Sequence, residues 1–215
     1  MRTAAAVPVK DFARAKRRLR TRFDDRAVAR VQRALLAGVL GALAEAKRIE
    51  RVFVLSDDAA VADAARAAGA SVRLRIPDPG LNAAIDGAAA ECAAEGFDAQ
   101  LVVLGDLPLL SGADIDALVA AGDRSPVVIA PADDGGTALL YRRPPLVIPA
   151  RFGPESASAH EAAARERGVT ALVWTALPPL AQIDLDTPED AVRLADAPRA
   201  CRTRDVLREL LRSGA

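Results

Sequence analysis

Two short runs in this chain, Val52–Leu55 and Leu101–Leu104, are apolar at every position. A strand with one wet face alternates apolar and polar side chains, because neighbours point to opposite sides. A strand without that alternation is buried on both faces, which calls for helices above and below a largely parallel sheet. The rest of the chain supplies them. From Asp25 to Lys47, apolar residues recur at helical spacing, at Val28, Val31, Leu35, Val39 and Leu43. Further helices are predicted over 57–69, from the "PDPG" turn to Gly96, from Ser111 (in capping-box spacing to Asp114), over 157–168 and over 202–212. In "TPEDAVRL", Thr187 suits an N-cap, Pro188 the first helical position, and acids the first turn. Strands are predicted at "TAAAVPV" (ended by Pro8), 51–56, 70–76, "AQLVVLGD", 125–132, 137–141, 169–175 and 181–186. Strands alternating with helices predict an α/β chain. The expected architecture is a three-layer αβα sandwich with a mostly parallel mixed sheet, a single domain over 1–215.

Charge narrows the function. Lys plus Arg equals Asp plus Glu, at 29 each, so the molecule as a whole is no polyelectrolyte binder. Between Lys10 and Arg22, however, stand seven basic residues and one acid, Asp11. A local basic cluster on a neutral protein suits a small anionic ligand better than a nucleic acid. Five Phe, one Trp and one Tyr also leave few platforms for stacking bases. No uncharged apolar run reaches about 18 residues, and the apolar stretch near Met1 is too short for a secretory signal. Cys92 and Cys201 stand in no metal or redox spacing. Together these features lead us to expect a cytoplasmic protein with no membrane and no nucleic-acid partner. Alanine-rich helix faces suit internal packing or a homodimer.

Ligands of open parallel sheets bind beyond the carboxyl ends of the strands. Asp106 falls just past such an end in "LVVLGDLPLL", after Gly105, and Pro108 keeps the chain from continuing as strand. An unpaired buried carboxylate is costly, so Asp106 should cap, pair or bind a cation. "IDLDTPED" puts Asp184 and Asp186 at a second strand end, on one face if the strand continues to 186. Converging carboxylates of this kind form a hard oxygen site suited to Mg²⁺ and a substrate's phosphates. Either Asp alone also suits the N-terminus of the following helix. The basic stretch "VPVKDFARAKRRL" leaves the first strand at the same edge, where Lys10, Lys16 and Arg18 can neutralise a polyphosphate. In "DDGGTAL", Gly135 and Gly136 allow close backbone approach to an anion, or simply an ordinary turn. "RFGPESASAH" holds the only histidine, His160, which reads as structural or near a helix start rather than as a general base.

Taken in order, "VPVKDFARAKRRL", "DPGLNAAI", "LGDLPLL", "PADDGGTALL", "FGPESASAH" and "DLDTPEDAVRL" resemble the 2-phospho-L-lactate guanylyltransferase family of the CofC type, which serves coenzyme F-420 biosynthesis. The resemblance covers about residues 7 to 194. It implies the nucleotide-diphospho-sugar transferase fold, similar to the molybdenum-cofactor guanylyltransferases and of the glycosyltransferase-A type. It also implies transfer of GMP from GTP to 2-phospho-L-lactate, phosphoenolpyruvate or 3-phosphoglycerate, with release of pyrophosphate. On the matching positions, Lys16 and Asp106 would be catalytic, and Asp106, Asp186 and Asp184 would ligate Mg²⁺. Pro8, Lys10, Lys16, Arg18, Asn82 and Gly105 would line the nucleotide, and Thr137, Gly153 and Ser156 would hold the acceptor.

The chain departs from the family pattern at four places. Asp134 stands for a Gly, Ala138 for an Asn, and Glu155 and Ala157 interrupt the usual Gly-Ser-Phe before the histidine. All four fall on the acceptor side, so they bear on which acid is bound rather than on the reaction class. They also keep open a non-catalytic nucleotide-binding regulatory protein of the same fold. Another nucleotidyltransferase of this fold would carry a glycine-rich loop after the first strand, where this chain has the basic stretch. A dinucleotide-dependent oxidoreductase is disfavoured, because no G-x-G-x-x-G follows that strand.

Overall fold

The computed structural model describes residues 1–9, 16–73, 80–178 and 185–213. Its strands are β1 (Thr3–Pro8), β2 (Arg51–Leu55), β3 (Ser71–Arg73), β4 (Ala99–Val103), β5 (Val127–Pro131), β6 (Thr137–Arg142) and β7 (Ala171–Val173). Its helices are α1 (Asp25–Glu45), α2 (Ala59–Ala67), α3 (Gly80–Ala94), α4 (Gly112–Ala121), α5 (Ser156–Glu166), α6 (Pro188–Ala195) and α7 (Arg202–Ser213). The strands form one sheet in the order β3-β2-β1-β4-β6-β5-β7, with β6 antiparallel to both neighbours and every other pairing parallel. This is the mostly parallel mixed sheet expected.

The alternation of side chains along the strands splits the core into two layers. Ala5, Val7, Leu101 and Val103 face α1, α2 and α4, and pack with Val39, Leu43, Val61 and Ile115. Ala4, Ala6, Phe53 and Val102 face the other way, against α3 and α5, with Ile85, Cys92 and Ala163. The alanines at the centre of β1 are fully buried, and their small size lets helices approach from both sides. By length and composition alone α1 could cross a membrane, yet its apolar residues are committed to the sheet on one side and to α6 and α7 on the other.

The helix starts follow the expected chemistry. Ser111 and Thr187 each close a capping box, with Asp114 and Asp190 respectively. Asp24 caps α1 by accepting from the Ala27 N–H at 2.7 Å.

Three segments differ from expectation. A 3-10 turn, Leu19–Thr21, interrupts the basic stretch, because Leu19 is fully buried and pulls the chain inward. β7 is three residues long where 169–175 was expected; Leu172 and Val173 are exposed at this sheet edge. Leu185 and Asp186 are not in a strand, and the other residues of the expected strand, 181–184, lie outside the described residues.

Candidate active site

The chain leaves β1 toward β2 and β3 on one side of the sheet, then returns to place β4 on the other side of β1. At such a switch point the loops after the two central strands diverge and leave a crevice at the sheet's carboxyl edge. The loop after β4 carries Asp106, and the segment after β1 carries Lys16. Gly105 is needed where these loops meet: a Cβ there would lie 3.2 Å from Val9 Cγ2 and 3.4 Å from the Pro8 carbonyl oxygen.

Packing brings the charged groups together. Leu19, Leu109 and Leu185 each follow or precede a candidate residue closely in sequence (Lys16, Asp106 and Asp186), and all three are buried in one cluster with α1, α6 and α7. With these anchors set, Lys16 Nζ donates to Asp106 Oδ2 at 2.7 Å and to Asp186 Oδ1 at 2.6 Å. The side chains are 9% exposed for Lys16, 27% for Asp106 and 56% for Asp186, so the ammonium is interior and the site opens on the Asp186 side. Burial alone would push the Lys16 ammonium down; the two carboxylates outweigh it and hold the group above its ordinary value. The backbone at Lys16 is left-handed, with φ of 57°, a conformation unfavourable for a side chain with a Cβ.

Asp106 and Asp186 thus converge on one cationic centre, as hard oxygen donors facing a shared point. That donor set fits Mg²⁺, which is commonly held by one or two carboxylates together with waters and phosphate oxygens. Among the described residues no group of three His, Cys, Asp or Glu side chains gathers as a metal cluster. Asp184 lies outside the described residues, as does Lys10. Arg18 opens the 3-10 turn and is exposed.

A second group stands at the same edge, on β6 and α5. β5 runs parallel to β1, so the turn after it, 132–136, reaches the carboxyl edge and delivers Thr137 at the start of β6. The Leu104 N–H donates to the Ala138 carbonyl at 3.5 Å, which ties this strand to the Asp106 loop. Ser156 Oγ lies 3.1 Å from Thr137 Oγ1, and His160 Nδ1 lies 3.0 Å from the same oxygen. His160 Nε2 accepts the Arg151 N–H at 2.9 Å. Burial and the nearby Arg142 push the His160 imidazole down to about 4, so it is neutral at pH 7. His160 is therefore a buried, neutral imidazole with both ring nitrogens engaged by the protein.

Asn82, expected beside the nucleotide, is bound to the loop that rises toward Gly153. Its Nδ2 donates to the Phe152 carbonyl at 3.0 Å, and its Oδ1 accepts from the Phe152 N–H at 2.7 Å. Asp86, one turn on, accepts the Ala150 N–H at 3.0 Å. Two positions four apart on one helix face thus pin the backbone of this loop. Sequence reasoning missed the partner beneath them. Arg142 is fully buried; it donates to Asp86 at 2.6 Å, to the Ile148 carbonyl at 2.9 Å and to Gln100. An Arg closing the apolar run "TALLYR" was the available signal.

The departures from the family pattern also have places. Asp134 Oδ1 accepts the Gly136 N–H at 2.9 Å, and the Glu155 carboxylate lies against Gly135, where a Cβ would sit 3.0 Å from Oε1. Glu155 precedes α5 in a left-handed conformation, with φ of 53°. The Ala157 N–H donates to the Gly135 carbonyl at 3.3 Å, which docks the helix start on the turn.

A mostly parallel sheet with one reversed strand, and charged side chains gathered at the carboxyl edge of its switch point, is the arrangement of an α/β nucleotidyltransferase fold. The solved structures bear this out: a putative nucleotide-diphospho-sugar transferase from Desulfovibrio desulfuricans G20 superposes with a TM-score of 0.79 at 19% identity, over 100% of this chain and 97% of that one. A nucleotidyl transferase from Methanothermobacter gives 0.64 at 20% identity, over 99% of each chain. The chain belongs to the family described as guanylyl transferase CofC like, whose family model matches residues 3–213. Among its relatives, a phosphoenolpyruvate guanylyltransferase of Rubrobacter xylanophilus is 39% identical, over 90% of this chain and 94% of that protein. A 2-phospho-L-lactate guanylyltransferase of Methanothermobacter thermautotrophicus is 34% identical, over 98% and 92%. A 3-phospho-D-glycerate guanylyltransferase of Phenylobacterium zucineum is 39% identical, over 96% and 95%.

Proposed function

We propose that this chain transfers GMP from GTP to a small phosphorylated carboxylic acid in coenzyme F-420 biosynthesis, releasing pyrophosphate. The observation that carries the reading is the buried Lys16 ammonium between Asp106 and Asp186, at the crevice where the fold binds ligands. The acceptor is a phosphate monoester with a second pKa of about 6, so it is already mostly dianionic at neutral pH and needs no general base. An acceptor phosphate oxygen attacks the α-phosphorus of GTP, and the bond from that phosphorus to the β-phosphate oxygen breaks. The obstacle is repulsion between two anions, so positioning and charge neutralisation supply the catalysis.

Lys16 has the charge for this task and is held at the crevice, with Arg18 and Lys10 as further cations for the triphosphate. Pro8 and Gly105 form the floor where the loops after β1 and β4 meet. Asn82 acts at one remove, through the Phe152 backbone. Asp106 and Asp186, with Asp184, would hold Mg²⁺, which when bound withdraws charge from phosphate oxygens as a Lewis acid. Thr137, Ser156 and the backbone at Gly153 form the acceptor side. The test is competition: GTP, Mg²⁺ and equal amounts of phosphoenolpyruvate, 2-phospho-L-lactate and 3-phosphoglycerate, with GMP adducts resolved by mass spectrometry. One dominant adduct with matching pyrophosphate release is expected. Tight GTP binding with no adduct from any acid would refute the proposal.

A further inference from the structure

The geometry points to His160 as a positioning residue that turns the Thr137–Ser156 hydroxyl pair into a net hydrogen-bond donor toward an anionic group of the acceptor. The inference rests on the acceptor side proposed above and assigns a role to a side chain that touches no reacting atom. It follows from counting protons. A backbone N–H can only donate, and the Arg151 N–H points at His160 Nε2 at 2.9 Å, so Nε2 carries a lone pair. A neutral imidazole with Nε2 as acceptor has its proton on Nδ1. The imidazole also meets the Ser156 backbone carbonyl, one helical turn back, which can only accept and so calls for a ring N–H.

Nδ1 therefore carries the ring proton, lies 3.0 Å from Thr137 Oγ1 and cannot accept from it. The contact between Thr137 Oγ1 and Ser156 Oγ, at 3.1 Å, uses one of the two hydroxyl protons. The trio holds three protons (Nδ1–H, Thr137 O–H and Ser156 O–H), and the ring proton stays on Nδ1. One hydroxyl proton is left over, whichever way the Thr–Ser bond runs. Thr137 is 2% exposed and Ser156 1%, so the pair is screened from bulk water, and a substrate carboxylate or phosphate oxygen has to enter that buried space to take the proton up. With the opposite tautomer, Nδ1 would accept from Thr137, Thr137 from Ser156, and no proton would remain for an anion. The Arg151 amide thus sets the polarity of the pair from the side of His160 remote from the ligand. Phe152 packs edge-on against the imidazole, with ring centroids 5.0 Å apart, and keeps the ring from turning over.

The chain contains one histidine, so ¹⁵N-histidine labelling gives one imidazole to read. At neutral pH the wild-type protein should show a protonated Nδ1 and an unprotonated Nε2. The Nδ1 resonance should move when phosphoenolpyruvate or a competing acid saturates the protein in the presence of a non-hydrolysable GTP analogue. A protonated Nε2, or an Nδ1 resonance that stays put under saturation, would overturn the assignment. In steady-state kinetics, His160→Phe should raise the acceptor KM about tenfold or more with the GTP KM nearly unchanged. His160→Asn, whose amide can donate to Thr137, should recover part of that loss. A folded His160→Phe protein with a wild-type acceptor KM, or with equal losses for both substrates, would sink the positioning role. Absence of any GMP adduct from the wild type would instead refute the functional reading, while the tautomer remains measurable.

Discussion

The neutral, buried His160 makes a quantitative demand on stability. Its imidazole titrates at about 4 in the folded chain against 6.5 when unperturbed. Lowering the pH from 7 therefore protonates the unfolded chain first. The contribution is fully present above pH 6.5 and is lost as the pH falls toward 4. At about 1.36 kcal/mol per pH unit, the gap between about 4 and 6.5 corresponds to roughly 3 kcal/mol in all. About 2 kcal/mol of this falls between pH 7 and 4.5. Among the described groups with displaced titration, the histidine dominates that window. Glu50 and Glu209, held below their usual 4.5 by hydrogen bonds from Arg2 and Arg30, make their difference only at lower pH. Around the imidazole, burial acts first, Arg142 and Arg151 add to it, and Asp86 opposes it. Urea unfolding followed by circular dichroism at half-unit steps of pH is the assay. With a slope of about 2 kcal/mol per molar urea, the wild-type midpoint should fall by roughly 1 M between pH 7 and 4.5. His160→Asn, which has nothing to protonate there, should show a flat midpoint over the same range whatever its absolute stability. Parallel curves for the two proteins would refute the reasoning.

Three other outcomes are expected. Lys16→Met removes the cation between Asp106 and Asp186, so Mn²⁺, read by electron paramagnetic resonance without nucleotide, should bind more tightly while GMP transfer falls about a hundredfold or more; unchanged or weaker Mn²⁺ binding would show that Lys16 does not compete for that position. Arg142→Met strands Asp86 and Gln100 without their buried partner and should cost about 3 kcal/mol, measured by urea unfolding at pH 7; a loss well under 1 kcal/mol would contradict the pinning network. In Gly122→Ala the new Cβ would stand 2.3 Å from Tyr141 Cε1, inside a packed core, and should lower the Tm by several degrees at a cost of about 1–3 kcal/mol; an unchanged Tm would contradict the packing described there.

The strands and most helices were legible because local chemistry dictates them. Continuous apolar runs, the Ser111 capping box and the Thr187 N-cap before Pro188 are set by neighbouring residues. Candidate site residues could be named one by one, but not their pairings. Asp106 and Asp186 were both candidates for a cation, and Lys16 for a phosphate. That Lys16 bridges the two follows from Leu19, Leu109 and Leu185 sharing one apolar cluster, which a linear reading does not reveal. The family resemblance put Asn82 beside the nucleotide, a placement that says nothing of what its amide binds within the protein. Its amide is engaged by Phe152, 70 residues away in sequence. Asp86 and Arg142 drew no attention, since a charge in an apolar run gains meaning only from a distant partner.

The site is assembled from two pieces of chain with different anchors. Lys16, Asp106 and Asp186 are fixed from the α1–α6–α7 side, whereas Thr137, Ser156 and His160 hang from β6, α5 and the loop pinned to α3. Such a division lets drift and selection act on one piece while the other is held constant. Exchanges at Asp134, Ala138, Glu155 and Ala157 alter the second piece and leave the anchors of the first in place. On the function proposed above, such an architecture lets the acid change without rebuilding how the nucleotide is handled. Relatives named for three different acids at 34–39% identity are what that modularity permits.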